Sequence, residues 1–163
     1  MNGSATYACS FKDVFVPDEW ILADDAQPFC DKIRLPFVAY QIPIGFGVIE
    51  VSVESMEKVK NRQNGCNRYL STQPADLTEA LKRIKKKFYD VLQKGLNNWK
   101  ELVSIRLETV YLTLKVVQAN MLHHGSPAYL ANSDSSRRLR EVYFYANLTP
   151  TVKHLEKLLH EEQ

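Results

Sequence analysis

The chain has 163 residues, 45% hydrophobic and 25% charged, with a formal net charge of +2. That length can bury a sizeable core without metal or disulfide support. So small a charge gives no electrostatic argument for nucleic acid as a partner. Three cysteines, Cys9, Cys30 and Cys66, are odd in number and lack CxxC spacing. They suit a reducing cytoplasm better than a disulfide framework or a zinc site. No uninterrupted apolar run reaches membrane-spanning length, and "MNGSATYACS" lacks the basic and apolar regions of a signal peptide. The expectation is a cytoplasmic chain with no membrane span.

In chain order, "SATYACSFKDVFVP" alternates apolar and polar residues and reads as strand, closed by Pro17. "ADDAQP" reads as linker, and everything after it reads helical. One strand has no sheet to join, which points to a remnant of something larger. From about Lys32 to Arg62 a long helix is expected, its first half apolar nearly all round and therefore buried on several sides. Pro43 is expected to kink or break it. Gly45 and Gly47 leave room for another backbone to come close.

Asp76 and Glu79 predict a capping-box start for the next helix, whose stripe is Leu77, Leu81, Ile84, Phe88 and Val91, with Gly95 ending it. The basic run "KRIKKKF" at 82–88 falls on this helix and reads as a solvated face. From about Trp99 to His123 two apolar ridges predict a central helix packed on both sides: Val103, Leu107, Val110, Leu114, Val117 and Met121 form one, and Ile105, Leu112, Val116 and Ala119 the other. Ser135–Leu148 reads as helix. Thr149 is expected to N-cap the last helix with Pro150 in its first turn. The sum is an all-α fold, an up-and-down four-helix bundle at 31–163, behind a short β remnant and linker at 1–30.

The chemistry-bearing residues are sparse. Glu50, Glu54 and Glu57 share a helix face, but the chain has no Glu-x-x-His, so a bundle metal site is not expected. His123 and His124 stand at a helix end, where capping is the expected role. No Gly-x-Ser-x-Gly or Gly-x-Gly-x-x-Gly occurs. Arg137, Arg138 and Arg140 within one helical turn suit phosphate or carboxylate recognition, or ion pairing with Glu141 and neighbouring helices.

Taken in order, "FKDVFVPDEWIL", "IPIGFGVIEV", "NRQNG", "HHGSPAY" and "RRLRE" resemble the acyl-CoA dehydrogenase family. They are similar to its strand-to-helical-domain junction, its first-helix glycine turn-in, R-x-x-F-G, its Gly-rich turn and R-x-x-R-D. The resemblance implies the C-terminal helical domain of an FAD-dependent oxidoreductase. It also implies homo-oligomer contacts through the bundle and absent N-terminal and β-domains; with the small net charge, no nucleic acid is expected as a partner. By the same resemblance Arg62 and Arg140 are the cofactor-binding candidates: Arg62 contacts flavin phosphates across a subunit interface, and Arg140 with Glu141 stands for the Arg–Asp pair. Family dehydrogenases remove a substrate α-proton with a glutamate while hydride goes to the flavin. The matching position here is Thr149, and the alternative base region, "RLPFVAYQ", has no acid. No catalytic residue is therefore assigned. FAD belongs to a longer parent, and the chain alone is expected to be inactive. The rival readings are a non-catalytic scaffold bundle and a domain of a flavin-dependent monooxygenase.

Overall fold

A computed structural model describes residues 7–161 and divides the chain into two compact units, Met1–Arg34 and Leu35–Gln163. In the first unit, residues 7–17 carry no strand, and there is none among the described residues. Residues 4–6 of the expected strand lie outside the described residues. The difference from the alternating pattern has a simple cause: a lone ribbon leaves its N–H and C=O groups with no ladder to join. A single 3-10 turn, Asp18–Trp20, follows Pro17.

Helix α1 (Ala26–Val59) begins inside the segment expected to be linker. The Asp25 carboxylate accepts the Gln27 N–H at 3.0 Å, and Pro28 sits in the first turn, where its missing donor costs little. The helix runs unbroken through Pro36 and Pro43, so of the kink or break expected at Pro43 a break does not occur. Burial explains this, since Val38, Ile42, Phe46, Ile49 and Met56 anchor it from both sides of Pro43.

In the second unit, after a one-turn element α2 (Arg62–Gly65), α3 (Pro74–Gln93) starts two residues before the expected capping box. Pro74 takes the first helical position, and Glu79 pairs with Lys82 instead of capping. Just past its end, Gly95 adopts φ 80°, a left-handed conformation that glycine takes without steric cost. Helix α4 (Trp99–His124) is capped by Asn98, whose side chain accepts from Glu101 N–H at 3.1 Å. Helix α5 (Asp134–Ala146) is capped by Ser133, and α6 (Val152–Glu161) closes the chain. The start of α6 corrects the expectation at Thr149: Thr151, not Thr149, accepts from the third residue on, His154 N–H, at 3.4 Å.

The second unit is all-helical with one packed core. Ile105, Leu112, Val116 and Ala119 of α4 cluster with the buried residues of α1 and α3. Phe46 and Phe88 meet edge to face at 5.8 Å in that cluster. On another side of α4, Val110 packs with Tyr145 and Ala146 of α5 and with Val152 of α6. Both ridges expected on α4 are thus used. Gly45 brings α1 against α4 so closely that a Cβ there would stand 2.5 Å from Thr109 Cγ2.

Helix α1 is not buried all round. Phe37, Tyr40, Ile44 and Val51 are exposed. Among the described residues α1 is one helix long and apolar enough to cross a membrane, by length and composition alone, unlike the reading from uninterrupted runs. Its buried inner face is what a core helix of a packed unit shows.

Candidate functional site

Two polar clusters interrupt the core. The first surrounds Arg106, which is fully buried on α4. Its Nε donates to Gln41 Oε1 at 3.1 Å and one terminal nitrogen donates to the Tyr145 carbonyl at 3.1 Å. The guanidinium lies 3.9 Å over the Tyr145 ring, while Nη1 has no partner. Burial pushes the Arg106 pKa down. Gln41 uses its other end to donate to the Thr149 carbonyl at 2.7 Å. Tyr145 Oη donates to the Gln41 carbonyl at 3.0 Å, and burial pushes its pKa up to about 12. This cluster ties α1, α4, α5 and the turn before α6 together without a carboxylate.

Thr149 itself is exposed and joins through its main chain alone. Gln41, the last residue of the "RLPFVAYQ" region, and Thr149, 108 residues apart, are thus joined by one hydrogen bond. Neither holds an acid. The sequence signal for this cluster was a charge at Arg106 inside a helix otherwise apolar on two sides.

The second cluster lies where the C-terminal half of α1, the end of α4 and the start of α5 meet. His124 Nε2 is 2.8 Å from Ser55 Oγ, and Arg138 donates to the same oxygen at 3.1 Å. Arg138 is buried, its Nε has no partner, and no carboxylate pairs with it among the described residues. Burial pushes the Arg138 pKa down. It also pushes His124 down, and the positive charges of Arg138 and Arg62 add to that effect. His123 is buried beside it, held by the Thr72 carbonyl at 2.9 Å, with Nδ1 unpartnered. Neither histidine caps α4; Gly125 does, through N–H bonds to the Met121 and Leu122 carbonyls.

The turn carrying Arg62 is unusual. Gln63, Asn64 and Gly65 take φ of 52°, 55° and 74° in succession, and outside glycine such a backbone is uncommon. Arg62 projects from this turn, exposed and with no carboxylate partner among the described residues. It is close enough to bear on the His124 charge.

The three arginines of α5 diverge. Arg137 pairs with Glu141 at 2.7 Å and with Asp134 at 3.4 Å. Arg140 is exposed and donates to Ser136 Oγ at 2.9 Å. Arg140 is thus bonded within its own helix, and Glu141 pairs with Arg137 rather than with Arg140. Of the three arginines read as suited to phosphate or carboxylate recognition, Arg138 is the one that turns inward.

The glutamates of α1 are occupied: Glu54 pairs with Lys58 at 2.6 Å, Glu57 with Lys60 at 2.9 Å, and Glu50 with Lys85. No metal-ligand group occurs among the described residues. No family model, curated protein or solved structure matches the chain. The functional reading therefore rests on these two clusters and on the sequence motifs.

Proposed function

We propose that the chain is the C-terminal helical domain of an acyl-CoA dehydrogenase-like, FAD-dependent oxidoreductase, an up-and-down bundle that contributes to a flavin site and has lost the usual base. The contact between Gln41 and Thr149 carries this reading. In the resembled family one or the other of these regions carries the carboxylate. Their meeting here is what a shared active-site location requires. An amide and a threonine hydroxyl cannot take an α-proton near neutral pH. Gln41 can only orient and Thr149 contributes a carbonyl, so ordinary α,β-dehydrogenation is not expected of these residues.

The second cluster supports the flavin part of the proposal. Arg62 and Arg138 offer positive charge without a paired carboxylate, which would suit the pyrophosphate of a dinucleotide. When bound, the flavin would supply the hydride-accepting chemistry; the chain's own part is to hold its phosphates. The uncovered α1 face of Phe37, Tyr40, Ile44 and Val51 supports self-association. Equilibrium sedimentation tests that, with a dimer or larger expected and a monomer at all concentrations against it.

The flavin proposal is tested by titrating the chain with FAD, ADP and riboflavin. FAD and ADP are expected to bind and riboflavin, which lacks phosphate, to fail. Equal binding of riboflavin would contradict it. With FAD, a panel of acyl-CoA thioesters and an electron acceptor, no acceptor reduction above free flavin is expected. A non-catalytic scaffold is the second reading. It is favoured by Gln41 spending both ends of its amide inside the protein.

A further inference from the structure

The basic run of α3 is only partly the solvated face that its composition suggests. Lys82 pairs with Glu79 at 2.6 Å, Lys85 with Glu50, and Lys87 with Glu108 of α4 at 2.8 Å. Arg83 and Lys86 are exposed and have no carboxylate partner among the described residues. Arg83 differs from Lys86 in lining a hollow of about 540 Å³ between α3 and α4. That volume lies in the range of small-molecule sites.

The hollow follows from the register of the two helices. Lys87 sits opposite Glu108, so stepping back along α3 to Arg83 and Ala80 matches stepping forward along α4 to Leu112 and Lys115. Ala80 has only a methyl group to fill the space there. The floor is apolar, since Ile84 and Leu112 belong to the buried core. The rim is cationic. Lys115 is exposed and, like Arg83, has no carboxylate partner among the described residues. Glu108 lines the hollow, but both its oxygens accept from Lys87 at 2.8 Å. Tyr111 flanks the floor, and its O–H donates to Glu156 of α6, which is outside the lining. Three cations therefore face one carboxylate that is already paired.

We propose that this groove binds an amphipathic anion, with an alkyl tail along Ala80, Ile84 and Leu112 and a carboxylate or phosphate head between Arg83 and Lys115. The planar fork of the guanidinium matches either head, and the ammonium adds a second charge. Exposed charges alone give weak, salt-screened attraction, so the apolar floor is needed as well. Two other hollows lack this combination. One between α1 and α3, of about 350 Å³, is lined by Pro36, Tyr40, Phe88 and Tyr89 among others, with no charged residue. One beyond the Lys87–Glu108 pair carries a second acid, Glu101.

The test titrates the intact chain with decanoate, decyl phosphate, decanol and acetate, below their micelle concentrations, and follows amide NMR shifts. Decanoate and decyl phosphate are expected to give saturable shifts centred on Ala80, Ile84 and Leu112, and the tighter of the two assigns the head. Decanol, which lacks the charge, should bind about fivefold more weakly. Acetate, which lacks the tail, should not bind. Octanoate should bind about fourfold more weakly than decanoate, half the logarithmic loss for two fully buried methylenes. Arg83→Gln and Lys115→Gln, both at exposed positions, should each weaken decanoate about fivefold, and Lys86→Gln should leave it unchanged. Ala80→Leu fills the hollow without touching a charge and should abolish the shifts, with circular dichroism confirming its fold. If that variant does not fold, the three charge variants still decide.

Decanol binding as tightly as decanoate would overturn the proposal, and so would Lys86→Gln weakening decanoate as much as Arg83→Gln. Shifts centred on Tyr40 and Tyr89 would put the tail in the α1–α3 hollow and overturn it too. No saturable shift with either anion would do the same.

Discussion

Replacing Gly45 and Gly47 separately with alanine gives the sharpest test of the packing. Both lie inside α1 and would gain from alanine's better helix propensity, about 1 kcal/mol. At Gly47 nothing lies within 4 Å of the added Cβ, so the gain stands alone. At Gly45 the Cβ would lie 2.5 Å from Thr109 Cγ2, 2.9 Å from Tyr145 Oη and 3.2 Å from Thr113 Cγ2. None of these yields freely. Thr109 Oγ1 is bound to the Ile105 carbonyl at 2.7 Å, Thr113 Oγ1 to the Val110 carbonyl at 2.7 Å, and Tyr145 Oη to Gln41. Overpacking of this kind costs about 1–3 kcal/mol, and the rigid neighbours place it at the upper end. The net expectation is about 2 kcal/mol lost at 45 and about 1 gained at 47. For a chain of this size that is a fall in Tm of about 4–8 °C against a rise of about 2–4 °C. Urea denaturation followed by circular dichroism reads both. A Gly45→Ala variant at least as stable as Gly47→Ala would refute the close α1–α4 approach.

Other outcomes follow from the same contacts. Thr151→Ala should cost about 1 kcal/mol through its lost cap, whereas Thr149→Ala should be near neutral, since Thr149 works through its carbonyl. Equal costs would contradict the placement of the α6 start. Arg106→Ala should lose about 3–5 kcal/mol, from the cavity and the orphaned Gln41 and Tyr145 acceptors. A loss below about 1 kcal/mol, read by the same urea titration, would count against that network. Because the folded pKa of Tyr145 lies above its unfolded value of 10.0, its contribution is complete below pH 10 and disappears as pH rises toward about 12. Tyr145→Phe should flatten that alkaline loss in thermal melts. For His124 the folded pKa is lowered, so stability holds above its unfolded value of 6.5 and falls as pH drops through the folded one. His124→Gln should lessen this acid loss; an unchanged acid limb would argue against the buried neutral imidazole.

The helices were legible because their signals are local. The α3 stripe, the Gly95 stop and the two ridges of α4 depend on spacing within one segment. The structure buries the stripe and the second ridge, half-buries Leu107, Leu114 and Met121 of the first, and puts Gly95 at a positive φ. Helix starts were less legible, because competing caps stand a few residues apart. Asp25, Pro74 and Thr151 each outdid the expected signal nearby. The N-terminal alternation misled because a strand exists only through a partner, which a pattern along the chain cannot supply. The site was hardest to read. Arg62 was visible through its motif, but Arg138 was one of three adjacent arginines, and only the phase of α5 against α1 separates it from Arg137 and Arg140. Ser55 and His124 are 69 residues apart and carry no motif that joins them.

The most direct test of the flavin reading is an FAD titration of the intact chain, followed residue by residue in amide and imidazole NMR. The account predicts saturable shifts centred on Arg62, Ser55, His124 and Arg138, lost in Arg62→Gln and absent with riboflavin. Shifts centred elsewhere, or none at FAD concentrations that saturate ordinary phosphate sites, would contradict it and leave the scaffold reading in its place.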